Sequence, residues 1–201
     1  MTSLNRESDS TGAGTEGEPG GECLASRPVH HGRIVHLNVD TVRFPDGSMG
    51  ELEMIRHSGA AAVLPVAGGP GEEDPEIVLV RQYRYAAGGY IYEVPAGRPS
   101  EPGEDWELCA RRELEEETGL RARELRKLTT IYTTPGFTDE RIHLFLATGL
   151  EEGAHSRDVD EFMEVVRMPL SRALEMVRDG EIVDAKTICT LLYAGGFVLG
   201  L

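Results

Sequence analysis

The sequence predicts an α+β domain, on three observations. Several β-branched, partly alternating segments come before the single strongly helical stretch instead of alternating with helices. Clusters of Gly, Pro, Asp and Ser separate those segments with turn chemistry. With 201 residues, 40% of them hydrophobic, the chain is long enough for one domain with a substantial core.

Residues 1–26 are rich in Gly, Ser, Thr and Glu and nearly devoid of apolar residues, which predicts a disordered tail. They lack the basic start and apolar run of a secretory signal. Residues 27–57 read as an N-terminal antiparallel strand pair: 34–44, the turn Pro45-Asp46-Gly47-Ser48, and 51–57. Residues 58–201 form the main domain. Within it, 59–66 is a short apolar strand, 68–76 a Gly- and Pro-rich surface loop, 77–84 a buried strand ending in polar residues, and 90–94 a further strand.

The helical stretch follows. Pro102-Gly103 breaks the chain before it, the Ala, Leu, Arg and Glu that follow are good helix formers, and Gly119 is a C-terminal stop. At about 100° per residue, Glu113, Glu116 and Glu117 share one narrow arc and Glu115 points the other way. Three crowded carboxylates repel one another, and such clusters are what a hard cation such as Mg²⁺ needs. Beyond the helix, 124–134 and 141–150 read as strands around the turn T-P-G-F-T-D, and 151–161 as a mobile acidic loop. Residues 162–168 form a last strand, Ser171 caps a helix over 172–178, and 184–193 forms a terminal helix. The apolar end 191–201, interrupted by Gly195-Gly196, is too short to cross a bilayer and is expected to pack on the domain.

The stretch 94–120 resembles the Nudix box, G-x5-E-x7-R-E-U-x-E-E-x-G-U with U a bulky aliphatic residue. Glu104, Arg112, Glu113, Leu114, Glu116, Glu117, Gly119 and Leu120 match in register, whereas Gly97 lies one residue too early, so the loop carries one extra residue. Gln82-Tyr83-Arg84, Glu93-Val94-Pro95-Ala96-Gly97, Pro135 at 16 residues beyond Gly119, and G-E-I-x-D-A-K-T at 180–187 are similar to the ADP-ribose pyrophosphatase branch of that family.

The resemblance implies a Nudix fold, a mixed central sheet between helices in an α/β/α sandwich, and hydrolysis of the phosphoanhydride in a nucleoside diphosphate sugar. It implies Mg²⁺ or Mn²⁺ held by the Ala96 carbonyl oxygen and the carboxylates of Glu113, Glu116 and Glu117. Arg112 would orient these carboxylates, with Glu104 a supporting acid at the helix start. Arg84 is the candidate for gripping substrate phosphate. Glu161 is the preferred general base, ahead of Glu164 and Asp160. The implied substrate is ADP-ribose, giving AMP and ribose 5-phosphate. The alternatives are another nucleotide sugar such as GDP-mannose, or a non-catalytic ADP-ribose-binding module. In the family this chain resembles, strands corresponding to the N-terminal pair meet across a two-fold axis, so the resemblance also implies a homodimer.

Charge and cysteine usage bound these readings. Thirty-five acidic against 20 basic residues give a net charge of −15, which opposes a nucleic-acid surface but not an anionic substrate in a cleft with local cations. Cys23, Cys109 and Cys189 form no C-x-x-C pair, so a reducing cytoplasm is the expected compartment, with no membrane partner. Lys127 and Lys186 are the only lysines, so arginine supplies most of the positive charge.

Overall fold

The computed structural model describes residues 20–68, 72–153 and 163–199. Its central sheet runs in the order β10-β5-β4-β9-β8. These strands are β4 (Ala60–Ala67), β5 (Glu76–Arg84), β8 (Leu120–Tyr132), β9 (Arg141–Glu152) and β10 (Met163–Pro169). The short β6 (Gly89–Glu93) extends from β5, and β7 (Ala96–Gly97) from β4. β4 and β9 run parallel while the neighbouring pairs are antiparallel, which makes the sheet mixed.

Side-chain alternation along β4 explains the layering. Ala60, Ala62, Leu64 and Val66 face one side, where Leu170, Ala173 and Met176 of α2 (Leu170–Arg178) and Leu191 and Ala194 of α3 (Ala185–Ala194) pack. Ala61 and Val63 face the other side, against Cys109, Ala110 and Leu114 of α1 (Trp106–Thr118). The result is the α/β/α sandwich implied by the sequence. Apolar residues run continuously through β4 because both of its faces are covered. Val198 and Leu199, in the turn after α3, pack on the α2/α3 side of this core.

Each helix end has a local cause. The Asp105 carboxylate accepts from the amides of Glu107 and Leu108, at 2.9 and 3.2 Å, and Gly119 closes α1 at φ 71°. Asp184 caps α3 through the Thr187 amide at 2.9 Å. The expectation for α2 is corrected: Ser171 lies inside the helix, and its amide and hydroxyl donate to Asp74 at 2.9 and 2.7 Å. The first α2 amide, Leu170, donates instead to the Pro75 carbonyl, so the loop before β5 supplies the acceptors that a capping side chain would have given.

The expected N-terminal antiparallel strand pair is present as β2 (His36–Arg43) and β3 (Met49–Arg56), and a third strand, β1 (Glu22–His31), extends it into a three-stranded antiparallel sheet. β1 begins inside the stretch 1–26 read as a tail, of which residues 1–19 lie outside the described residues. Every β1 residue is exposed, and its side-chain ties to β2 are polar: Ser26 with Asp40 and Asn38, and Glu22 with Arg43. A strand with no buried face leaves no hydrophobic alternation to read.

This sheet is bolted to the main domain. The Ile55 amide donates to the Phe137 carbonyl at 2.8 Å, and Arg56 pairs with both Asp40 and Asp139. Of the segment 151–161 expected as a loop, Glu151 and Glu152 extend β9 instead, and residues 154–162 lie outside the described residues. Among the described residues no helix is long and apolar enough to cross a membrane.

Leu114 is fully buried and carries α1 onto the sheet, whereas Leu108 on the same helix is 60% exposed. Leu114→Ala is expected to lower unfolding free energy by about 3 kcal/mol in a urea titration, and Leu108→Ala by well under about 1 kcal/mol.

Candidate active site

The acidic face of α1 lies against β7 and the loop that follows it. Ala96 donates its amide to Glu117 Oε2 at 3.2 Å, and Glu117 is only 6% exposed. A β-carbon on Gly97 would collide with the Glu113 carboxylate, so glycine leaves the room in which that carboxylate sits. Arg112 ties the group together. Its Nη1 donates to Glu113 at 2.6 Å and to Glu116 at 3.0 Å, while Nε and Nη2 reach Glu104 at 3.3 and 3.2 Å. Nη2 also donates to the Arg98 carbonyl at 2.9 Å, and the Ser100 amide donates to Glu104 at 2.6 Å. The loop with one extra residue is therefore anchored at both ends, and Glu104 stays in register with Arg112.

Burial pulls the Arg112 pKa down, but its bonds to Glu104 and Glu113 outweigh this and raise it, so the residue is a permanent cation. The same arginine holds the Glu104 carboxyl below its ordinary value. Cys109, beneath this face, has its thiol pushed up to about 11, first by burial and then by the Glu113 charge, so it is an unreactive packing residue at neutral pH.

A hard cation suits this donor set of carboxylate and carbonyl oxygens. Glu113 and Glu116 converge on one nitrogen of Arg112, which places the two carboxylates side by side. As they stand they are turned onto the guanidinium, and among the described residues no three His, Cys, Asp or Glu side chains are gathered as a ready cage.

Beside this face opens a cleft of about 450 Å³, within the range of small-molecule sites, lined by His57, Arg84, Glu93, Arg98, Glu140 and Lys186 among others. Arg84, 43% exposed at the end of β5, grips Glu93 with two bonds of 2.9 and 2.7 Å. Lys186, on the first turn of α3, donates to Glu93 at 2.9 Å and to Asp184 at 3.0 Å. Asp184 also accepts the Thr187 hydroxyl at 2.6 Å, and that hydroxyl accepts the Val94 amide at 2.8 Å. α3 is thus fastened to the strand end that leads into β7. Opposite, His57 Nδ1 lies 3.4 Å from Glu140, and the His57 amide donates to Asp139 at 2.8 Å.

The structure brings Ala96, Arg112, Glu113, Glu116 and Glu117 together and sets Arg84 in the adjoining cleft. Glu161 and Asp160 lie outside the described residues, while Glu164 sits in β10 opposite Arg81. Tyr92 packs against the core, and Tyr83, Tyr85 and Tyr90 are exposed on the β5–β6 hairpin. Sequence reasoning placed Glu93 and Lys186 in two separate motifs and gave neither a role in the site. They are 93 residues apart, so no spacing could link them.

Burial pushes the Glu93 carboxyl up, but Arg84 and Lys186 outweigh it and hold it below its ordinary 4.5. A carboxyl lowered on folding contributes stability that is full above its unfolded value and fades as pH falls through the folded one. Urea titrations between pH 6 and pH 3, values chosen to span that range, are therefore expected to show the wild type losing stability as the pH drops. Glu93→Gln, starting less stable, is expected to show a shallower decline.

Comparison with known proteins places the chain among relatives. Residues 56–191 match the family model of the NUDIX domain. The chain is 41% identical over 174 residues to the ADP-ribose pyrophosphatase of Bacillus subtilis (strain 168), covering 86% of this chain and 91% of that protein. It is 37% identical over 175 residues to the ADP-ribose pyrophosphatase of Mycobacterium tuberculosis (strain ATCC 25618 / H37Rv), covering 85% and 81%. A solved structure of an ADP compounds hydrolase superposes with a TM-score of 0.73 at 22% identity, covering 90% of this chain and 95% of that one, a likeness of fold.

Proposed function

The chain belongs to the NUDIX domain family and is a pyrophosphohydrolase of it, and we propose that its substrate is ADP-ribose. The observation that carries this reading is the carboxylate face of α1 set against Ala96-Gly97, the same two residues that line the neighbouring cleft walled by Arg84 and Lys186. Two relatives named for ADP-ribose, together with Gln82-Tyr83-Arg84, the P-A-G entry and Pro135, support the choice of substrate.

In the reaction a water oxygen bonds to one phosphorus and the bridging P–O bond breaks, giving AMP and ribose 5-phosphate. The residues that would hold Mg²⁺ or Mn²⁺ are Ala96, through its carbonyl oxygen, and Glu113, Glu116 and Glu117. When bound, such an ion neutralises phosphate charge and makes water a better nucleophile. Arg112 keeps the Glu113 and Glu116 carboxylates close despite their repulsion. Arg84 offers the part of its guanidinium not engaged by Glu93 to a phosphate oxygen. Glu161 takes the proton of the attacking water.

Glu116→Gln and Glu117→Gln are each expected to lower turnover by about a thousandfold while the protein stays folded, and excess chelator to abolish it. In a coupled phosphatase assay, ADP-ribose is expected to outrank GDP-mannose. Better turnover of GDP-mannose would replace the substrate. No turnover of any nucleotide sugar would leave a binding module.

The base is tested separately. Glu161→Gln should lower kcat by about a hundredfold or more with KM little changed, because its contact is made mainly in the transition state. Normal turnover there, with loss in Glu164→Gln or Asp160→Asn, would move the role along the chain.

We also propose that the protein is a homodimer through its N-terminal sheet. Val29, Ile34 and Val35, in and beside the turn between β1 and β2, leave between 44% and 53% of their surface exposed, apolar area available to a second copy. Light scattering is expected to give twice the chain mass of 22.0 kDa. Truncation before Ser58 is expected to give a monomer with weakened substrate affinity; full activity in such a monomer would refute the assembly.

A further inference from the structure

Glu93 is buried, with a side chain only 4% exposed, and its two oxygens are shared between two cations from distant parts of the chain. Oε1 takes Nε of Arg84, and Oε2 takes both Nη2 of Arg84 and Nζ of Lys186. A fork of this kind fixes the plane of the guanidinium, so the direction in which Arg84 faces the cleft is set by where the carboxylate lies. The carboxylate is held in turn from α3. Lys186 is 12% exposed and tied to Asp184, the residue that caps that helix. The four side chains Arg84, Lys186, Glu93 and Asp184 balance in charge. Removing the lysine leaves one buried acceptor with a partner fewer and an excess negative charge where a phosphate must approach.

We propose that Lys186 is a positioning residue for Arg84, acting through Glu93 to set the guanidinium for substrate phosphate. The role rests on the reading of the cleft as a phosphate site. It assigns to the D-A-K-T segment a part in substrate capture rather than only in helix capping. Lys186 itself does not touch the substrate. Its effect passes entirely through the carboxylate that both cations share.

A double-mutant cycle on turnover tests the coupling. Lys186→Gln is expected to raise KM about tenfold with kcat within about twofold, and Lys186→Arg to recover most of the loss. In an Arg84→Ala background the same Lys186→Gln change is expected to have almost no further effect on kcat/KM. If Lys186 bound phosphate itself, or acted only through its charge, its loss would cost the same with or without Arg84, and additive losses would overturn the proposal.

A second readout needs no substrate. The Arg84 Nε–H resonance in a ¹H–¹⁵N spectrum, identified by its loss in Arg84→Ala, is expected to be sharp in the wild type, broadened in Lys186→Gln and restored in Lys186→Arg. The remaining resonances of the spectrum report that each variant is folded. An unchanged Arg84 signal in folded Lys186→Gln overturns the positioning role. A wild type that turns over no nucleotide sugar but shows the expected broadening overturns the substrate reading and leaves the positioning intact.

Discussion

One guanidinium holds three carboxylates that would otherwise push apart. Glu104, Glu113 and Glu116 all bond to Arg112, and two of them reach a single nitrogen. Like charges at helical spacing destabilise a helix, so the acidic face of α1 depends on a cation of its own. A lysine could supply the charge but not the planar fork that meets several partners at once. The same arginine takes the Arg98 carbonyl, so it also fixes the loop that enters the helix. That double duty explains how the loop carries an extra residue without displacing Glu104.

The carboxylate face and the cleft beside it are brought together from the two faces of one sheet. α1 packs on one side and brings the carboxylates. α3 packs on the other and brings Lys186, and the strand ends of β5, β6 and β7 meet between them. Two long-range bonds hold this meeting point in register: the Ala96 amide to Glu117, and the Val94 amide to the Thr187 hydroxyl. Both use backbone amides of the E-V-P-A-G segment, so that segment is fastened from α1 on one side and α3 on the other. Despite a net charge of −15, two cations, Arg84 and Lys186, are concentrated in the cleft, both held by the Glu93 carboxylate.

Much of this was legible in the sequence because it is local. The arc of Glu113, Glu116 and Glu117 follows from helical pitch alone, and Gly119 stops the helix as its type requires. β4 and β5 announced themselves as apolar runs because both of their faces are buried. What the sequence hid is what depends on contacts far along the chain. β1 buries nothing, so no periodicity marks it. Ser171 has the chemistry of a helix cap, yet Asp74 captures it from 97 residues away. The sharing of Glu93 between Arg84 and Lys186 joins motifs that were each noticed separately, and only folding shows that they meet.

Arg112→Lys, assayed for ADP-ribose turnover across a titration of Mg²⁺, tests the central claim most directly, because it keeps the charge and removes the fork. If the guanidinium geometry holds the carboxylates in place, turnover falls by about a hundredfold and half-saturation moves to higher Mg²⁺ in a protein that remains folded. Wild-type turnover and an unchanged Mg²⁺ requirement in Arg112→Lys would show that charge alone suffices and would contradict the account.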